Sequence, residues 1–173
     1  MSNENVMGGG VFKLVCRDAA GNVKWEAESH NLVVNGGLKH MNDTYFRGTG
    51  YTATWFLGVY GAAASNNPAA TDTAASHVGW TEVTAYSNGA RPTCSFAAAS
   101  NANPSVITNS ASAAVFLING TATIGGAFLI SDNTKGGSSG TLFSAVDFAS
   151  PGDRMVVAAD TLTLTYTFTY TAT

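Results

Sequence analysis

The sequence predicts an all-β protein, an antiparallel β-sandwich of jelly-roll type with about eight strands and one short α-helix near residues 36–46. Three observations support this fold class. Stretches of alternating apolar and polar residues recur along the chain, turns of small residues separate them, and helical spacing of apolar residues occurs in one place. With 173 residues the chain is long enough for one domain with a sizeable core. No repeat of fixed period is present, which disfavours a solenoid or propeller.

The N-terminal segment MSNENVMGGG is polar and ends in three glycines. We therefore expect residues 1–10 to form a flexible arm and residues 11–173 to form a single β-sandwich domain. A hairpin follows, with a turn over residues 18–22 between two alternating strands. The apolar faces of the two strands consist of Phe12, Leu14, Cys16, Val23, Trp25 and Ala27. The opposite face of the second strand carries Lys24, Glu26 and Glu28.

The stretch NLVVNGGLKHMNDTYFRGTG changes period. Its apolar residues recur at helical spacing, which predicts a helix that begins near Asn35 and ends before Gly48. The predicted apolar side of this helix consists of Leu38, Met41, Tyr45 and Phe46. Further strands are predicted in TATWFLGVYG, WTEVTAYS, RPTCSFAAAS, SAAVFLINGTATI, GGAFLIS and TLFSAVDFAS. The intervening loop over residues 61–79 is long enough to be functional or to become ordered on a partner.

The chain ends on the uncharged segment TLTLTYTFTYTAT, which predicts a long strand with two different faces. The even positions Leu162, Leu164, Tyr166 and Phe168 are predicted to point into the core. The odd positions form a row of threonines where a soluble monomer usually carries lysine or glutamate, and no lysine or proline guards the strand as an edge. The candidate partner interface therefore consists of Thr163, Thr165, Thr167, Thr169, Trp55 and Trp80.

Composition restricts the classes of partner. Charged residues make up 11% of the chain and the net charge is −3, without a basic cluster, so we expect no direct binding to nucleic acid. No apolar run approaches the length of a membrane-spanning helix, and the N-terminus lacks the features of a secretion signal, so synthesis in the cytoplasm is expected. Aromatic side chains such as Tyr51, Trp55, Tyr60 and Trp80 suit a low-charge contact surface, or the tryptophans fill the core.

Two groups of residues contain side chains of the types used in catalysis. His77 lies near Asp72, Ser76 and Glu82, but no nucleophile elbow is present, and the alternative is a turn in which Asp72 or Ser76 binds local backbone. Glu26 and Glu28 share one strand face and have the carboxylates that a glycosidase pair needs, yet the neighbouring Lys24 favours a solvated face. The other histidines, His30 and His40, are expected on the surface. We therefore expect no enzymatic activity and no catalytic residue.

Metal and cofactor sites are also not expected. Cys16 and Cys94 stand in separate apolar stretches without a CxxC motif, which is typical of reduced packing residues. The segment around Lys135, DNTKGGSSG, has its lysine before the glycines and so differs from a phosphate-binding loop, and it lacks the acidic positions of a calcium loop.

Several segments together resemble a family of small virion proteins of tailed bacteriophages. The shared patterns are D-x-x-G-N-x-K-W in the first hairpin, N-L-V-x-N-x-G-L at the helix start, and H-x-G-W-T-E further on. The segments TWFLGVYG and TIGGAFLISDNTKGG followed by GTLFS extend the resemblance to roughly residues 11–170. The stretch VYGAAASNNPA departs from the family pattern, so the partner of that loop is left open.

The resemblance implies a structural protein of the virion without enzymatic activity, one that decorates or cements the capsid surface and stabilises the head. Its expected partners are the lattice of the major capsid protein and other copies of the chain, as a dimer or trimer. Two alternatives remain: a tail or fibre component, which would use the same β-rich build, and a receptor- or glycan-binding module built on Trp55, Trp80 and the loop over residues 61–79.

Overall fold

The computed structural model describes residues 5–61 and 67–173, in which thirteen β-strands and one α-helix are found. The strands are β1 Val6–Arg17, β2 Val23–His30, β3 Leu32–Val33, β4 Trp55–Gly61, β5 Thr81–Glu82, β6 Thr93–Cys94, β7 Ser105–Thr108, β8 Ala114–Leu117, β9 Ala122–Ile124, β10 Gly126–Ile130, β11 Leu142–Asp147, β12 Arg154–Val156 and β13 Thr161–Ala172; the helix α1 is Asn35–Arg47. All strand pairs are antiparallel. The prediction of an all-β, sandwich-like fold with one short helix is confirmed.

The first sheet has the strand order β2-β1-β13-β7, and β8 also pairs with β13. The terminal strand β13 therefore lies inside the sheet, with β1 along one side from Val6–Ala172 to Arg17–Thr161. Along its other side β8 pairs with residues 161–164 and β7 with residues 167–170. Because both sides are paired, the missing lysine or proline guards of this strand are explained without a second chain.

Asn109 fills the gap between β7 and β8. Its side chain is fully buried, its Oδ1 accepts a hydrogen bond of 2.7 Å from the backbone N–H of Tyr166, and its Nδ2 donates to the carbonyl of Leu164 at 3.4 Å. The side-chain amide thus provides the donor and acceptor that a strand backbone would provide at this point. The pairing of β13 continues across the break between the two short strands.

The second sheet has the order β3-β11-β10-β4-β5, and β6 also pairs with β4. Its inner face packs against the first sheet, and a small pair of strands, β9 and β12, adds Ile124 and Val156 to the same core. The core between the sheets includes the predicted Phe12, Leu14, Cys16, Leu162, Leu164, Tyr166 and Phe168, all of them buried. The predicted inward faces of the first hairpin strand and of the terminal strand are confirmed.

The outer face of the second sheet is covered as well. A second cluster of buried side chains lies there, contributed by the sheet, by the residue before α1 and by the segment over residues 67–80. Its members are Val34, Tyr60, Ala74, Trp80, Phe128, Ile130, Leu142 and Ala145. Of the loop predicted over residues 61–79, residues 62–66 lie outside the described residues, Ala74 belongs to this cluster, and Val78 is 90% exposed. The second sheet is therefore buried on both faces, and within the described residues the first sheet has the open outer face.

The predicted flexible arm is wrong for Val6–Gly10, which form the first part of β1 and pair with β13. The glycines have a packing role here. A Cβ at Gly8 would lie 2.8 Å from the Tyr170 ring, and one at Gly10 would lie 2.6 Å from the Tyr166 hydroxyl. Glycine therefore allows the aromatic rings of β13 to lie across β1, and the folded domain begins before residue 11.

The helix is present with the predicted start and end, but of its predicted apolar side only Met41 packs against the core, and the prediction is wrong for the other three residues. Leu38, Tyr45 and Phe46 are exposed, at 47%, 83% and 77%, and the helix is buried at Gly37 instead. A Cβ at Gly37 would lie 2.3 Å from the carbonyl oxygen of Phe143 in β11. The close approach of the two backbones, which only glycine permits, decides which face of the helix packs on the sheet.

Candidate partner interface

The outer surface of the first sheet carries Thr161, Thr163, Thr165, Thr167 and Thr169, and we call it the threonine face. These five side chains are half-buried, since β1 flanks all of them on one side and β7 or β8 flanks four of them on the other. Their even-numbered neighbours point into the core, so the threonines point away from it. The structure therefore brings the four predicted threonines together in one row on an open surface.

The neighbours of the row differ from one side to the other. On the β8 side, Val115 lies beside Thr163 and Leu117 beside Thr161, and both apolar side chains are exposed. On the β1 side, Val15 lies beside Thr163 and Lys13 beside Thr165. An uncharged strip of methyl and hydroxyl groups thus runs along β13 and β8.

Charge increases toward β2. Glu28 lies beside Lys13 and Glu26 beside Val15, and the Lys13 ammonium nitrogen is 3.6 Å from a Glu26 carboxylate oxygen. Both members of this pair are about half exposed, so the pair contributes little to stability. A solvated, charged margin thus lies beside the uncharged strip. Glu26 pairs with Lys13, and among the described residues Glu28 shows no ion pair.

The row of threonines is held by hydrogen bonds at its β7 end. The hydroxyl oxygens of Thr108 and Thr167 lie 2.9 Å apart, and the Thr108 hydroxyl also accepts a hydrogen bond from the Ser110 backbone N–H at 3.2 Å. The threonine side chains at this end are therefore fixed in one orientation. A preordered surface loses less side-chain entropy when a partner binds.

Trp80, predicted for the interface, lies in the core instead. It is 4% exposed and packs on Tyr60 and Phe128, with ring centroids 4.8 Å and 5.3 Å away. Its indole N–H donates to Asp72 Oδ2 at 3.0 Å, and the His77 ring stacks on it at 3.9 Å. The alternative that this tryptophan fills the core is the one observed.

His77 and Asp72, considered above for catalysis, both bind nearby backbone groups. The Nδ1 of His77 donates to the carbonyl of Trp80 at 2.9 Å, and Asp72 accepts from the Ala69 backbone N–H at 3.0 Å. Among the described residues no hydrogen bond joins His77, Asp72 and Ser76 to one another. The turn predicted as the alternative, in which Asp72 binds local backbone, is confirmed.

Trp55, the other predicted aromatic contact, is half-buried on β4. Its ring meets His40 of α1 and Phe143 of β11 edge to face, with centroids 5.2 Å and 5.4 Å apart. It joins the helix to the second sheet and lies away from the threonine face, which belongs to the first sheet. Tyr60 is fully buried and donates to the carbonyl of Val146 at 2.7 Å, so it does not contribute to a contact surface either.

The most exposed aromatic residues in the described part of the chain are instead Tyr45, Phe46 and Tyr51. Tyr45 and Phe46 contact each other edge to face at 4.9 Å, and Tyr51 is 78% exposed. Helical spacing placed Tyr45 and Phe46 on the apolar side of the helix. Such spacing identifies an apolar side but does not show whether a sheet covers it. The glycine pair at the helix start was the signal in the sequence that a different face packs closely.

A cavity of about 360 Å³ lies between α1 and the loops near residues 50, 73 and 141. Its charged groups already have partners: Asp43 binds Lys39 and Arg47, and Asp72 binds Trp80. The Lys39 ammonium and the Arg47 guanidinium hold the pKa of Asp43 below its usual range. The cavity therefore presents no unpaired charge from these two carboxylates to a ligand.

Both cysteines are free and buried. Burial raises the pKa of Cys16 to about 11 and that of Cys94 to about 12, so both thiols stay protonated at neutral pH. Within residues 5–61 and 67–173 no group of three or more histidine, cysteine or acidic side chains is placed to hold a metal ion. Lys135 donates to the carbonyls of Tyr86 and Asn88 at 2.8 Å and 2.9 Å, which is a structural role.

None of the helices in the described part of the chain has the length and apolar character needed to cross a membrane.

Comparison with known proteins adds no relative. No protein-family model, no curated protein and no solved structure matches the chain.

Proposed function

We propose that the protein is a non-enzymatic structural protein of a tailed-bacteriophage virion, which binds the outside of the capsid shell as a decoration protein and stabilises the head. The observation that carries the proposal is the threonine face, an uncharged strip on the open side of a rigid sheet. The family resemblance of the sequence supplies the identity of the partner, the lattice of the major capsid protein.

The chemistry of the threonine face fits this role. Interface cores are depleted in charged residues, and the strip along β13 and β8 has none. A threonine surface presents methyl groups for apolar contact and hydroxyls for hydrogen bonds, at a low cost in side-chain entropy. A protein that binds a lattice many times needs only a modest free energy at each contact, because each bound copy stabilises the assembled state by mass action.

Copy number per particle tests the location. Mass-spectrometric quantitation of purified virions, relative to the major capsid protein, is expected to give hundreds of copies. Six to a few tens of copies would instead assign the protein to the tail or a fibre, which is the alternative structural role. Absence from purified virions would exclude both.

Substitution of the threonine face tests the surface. Thr163→Lys together with Thr167→Lys places two ammonium groups on the strip, and occupancy on capsids that lack the protein is expected to fall at least about tenfold if each buried unpaired charge costs ~1 kcal/mol or more. The matched control is Thr93→Lys with Thr121→Lys, at two exposed threonines on other parts of the surface. Equal occupancy of both double variants would assign the capsid contact to another face.

Glycan binding is the second candidate, and the exposed aromatic residues favour it. Tyr45, Phe46 and Tyr51 offer aromatic faces to solvent, whereas the predicted platform of Trp80 lies in the core. Binding of the purified protein to a glycan array, lost on Tyr45→Ala and unaffected by the two lysines on the threonine face, would support a receptor-binding module over a decoration protein.

A further inference from the structure

One part of β1 has an open hydrogen-bonding edge. β2 pairs with β1 only from Val11 to Arg17, whereas β13 pairs with β1 from Val6 onward. Within the described residues, the segment Val6–Gly9 is therefore paired on one side only. Its residues are all exposed.

The direction of the backbone groups along this segment follows from its two ends. Asn5 exchanges hydrogen bonds with Thr173, at 2.7 Å and 2.9 Å, so the backbone groups of Asn5 face β13. Gly10 exchanges them with Asn31 on the opposite side, its N–H donating to Asn31 Oδ1 at 2.7 Å and its carbonyl accepting from the Asn31 N–H at 2.9 Å. Backbone groups alternate in direction along a strand, so the N–H and C=O of Val6 and Gly8 point to the open edge.

These four groups have no hydrogen-bond partner among the described residues. An edge of this kind accepts another extended strand, and proteins usually block it with lysine, proline or a bulge. The segment VMGGG contains none of these. The nearest charged residue of the same strand is Lys13, beyond the point where β2 takes over the edge.

We propose that two copies of this chain pair antiparallel through the edge of Val6–Gly8, about a two-fold axis at Met7. Asn31 occupies the edge at Gly10, so the register that uses both open residues places Val6 of one copy opposite Gly8 of the second copy. Each such pair exchanges two hydrogen bonds, and the two-fold axis makes two pairs. The first sheets of the two copies then form one continuous sheet.

The side chains fit this register. On the inner side, Val6 of one copy faces Gly8 of the second copy, which has no Cβ and lies against the ring of Tyr170. Val6 is 73% exposed and Tyr170 is 42% exposed, so both have apolar surface to bury. On the outer side the two Met7 side chains meet. A two-fold contact of charged residues would bring like charges together, and this segment carries no charge.

The contact is small, and its expected strength follows from its size. A few residues from each chain bury less than the roughly 1,200 Å² of a stable complex, so we expect a weak, concentration-dependent dimer in solution. Immobilisation of neighbouring copies on one particle would raise the local concentration and favour pairing. The inference concerns the isolated protein and does not depend on the proposed function.

Disulfide trapping of the purified protein tests the register. Met7 faces Met7 of the second copy as a non-hydrogen-bonded pair, with Cα atoms about 4.5 Å apart, which lies within the range of a disulfide. In Met7→Cys we expect a covalent dimer on non-reducing gels under mild oxidation. The native Cys16 and Cys94 are buried and do not compete.

The matched control is Met155→Cys, on the two-stranded pair away from this edge, since Met155 is 62% exposed and Met7 is 60% exposed. Met7→Cys is expected to cross-link about tenfold faster, because pairing raises the effective concentration of the two thiols. Equal rates for the two variants would overturn the proposal.

Two second-site variants separate the edge from general reactivity. In the Met7→Cys background, Val6→Pro removes one outward N–H, and Val6→Lys places a charge at the edge. Both are expected to reduce the rate of cross-linking to that of Met155→Cys, with an unchanged far-UV circular dichroism spectrum. An unreduced rate in the lysine variant would show that the thiols meet by collision and not through this edge.

Discussion

Arg91 and Glu82 form a buried ion pair whose loss is expected to lower the stability of the fold strongly. The Arg91 guanidinium donates to both Glu82 carboxylate oxygens, from Nε at 3.0 Å and from Nη2 at 2.7 Å. It also donates to the carbonyls of Asp132 and Gly137 at 2.9 Å and 2.8 Å, and it lies over the Phe128 ring at 5.3 Å. One side chain thus ties β5 to the loop that follows β10, with only 2% of its surface exposed.

We expect Arg91→Met to be strongly destabilising. The apolar replacement leaves the Glu82 carboxylate buried with the Gly136 N–H as its remaining donor, at 2.8 Å, and leaves two carbonyls without theirs. Removal of one partner of a buried pair costs about 3–5 kcal/mol, which is a large share of the ~5–15 kcal/mol by which domains are stable. For a chain of this length the melting temperature is expected to fall by about 6–20 °C.

Chemical denaturation with urea, followed by circular dichroism, measures this loss. Glu82→Gln combined with Arg91→Met removes both charges, so it is expected to be more stable than Arg91→Met alone. The control is Arg154→Met, at an exposed arginine, with an expected change within about 0.5 kcal/mol. A loss of less than about 1 kcal/mol in Arg91→Met, the value of a surface pair, would refute the reasoning.

Asn109→Ala is expected to lower the free energy of unfolding by about 1–3 kcal/mol, because β13 loses its side-chain partner. The control Asn119→Ala, at an exposed asparagine, is expected to lower it little. Similar urea midpoints for the two variants would contradict this. Ala159 has a φ of 72°, so Ala159→Gly is expected to gain about 0.5–1 kcal/mol, and Ala158→Gly to gain nothing. Burial raises the pKa of Cys94 from 9.0 to about 12. The thiol therefore ionises first in the unfolded chain, so the free energy of unfolding is expected to fall as the pH rises above 9. Rapid iodoacetamide labelling of the native protein at pH 8 would show an accessible thiol and would refute this.

The first hairpin shows how much a sequence pattern can predict. Alternation placed Phe12, Leu14 and Cys16 inside, and the turn at Asp18 follows from its side chain, whose Oδ1 accepts from the N–H groups of Ala20 and Asn22 at 2.9 Å each. Both effects act within a few residues, through the two-residue period of a strand and the local hydrogen bonds of a turn. Neither requires knowledge of the rest of the chain.

Trp80 shows why the candidate interface was only partly predictable. It begins the predicted strand WTEVTAYS, and its local sequence left exposure and core burial both open, whereas the rings that bury it come from β4 and β10. The threonine row was predictable because alternation defines its face once the opposite face is buried. Whether a face meets solvent, a second layer or another molecule depends on which elements pack on it.

The same distinction holds for the N-terminus and the helix. Local order along the chain determined the strands, the turns, the helix bounds and the two faces of β13, because backbone geometry repeats with a fixed period. The tertiary structure alone decided that Gly8 and Gly10 form a strand under the rings of β13, and that α1 packs through Gly37 and exposes Tyr45. Glycine gives no periodic signal in the sequence. Which atoms fill the space beside a glycine is decided by residues that are distant along the chain.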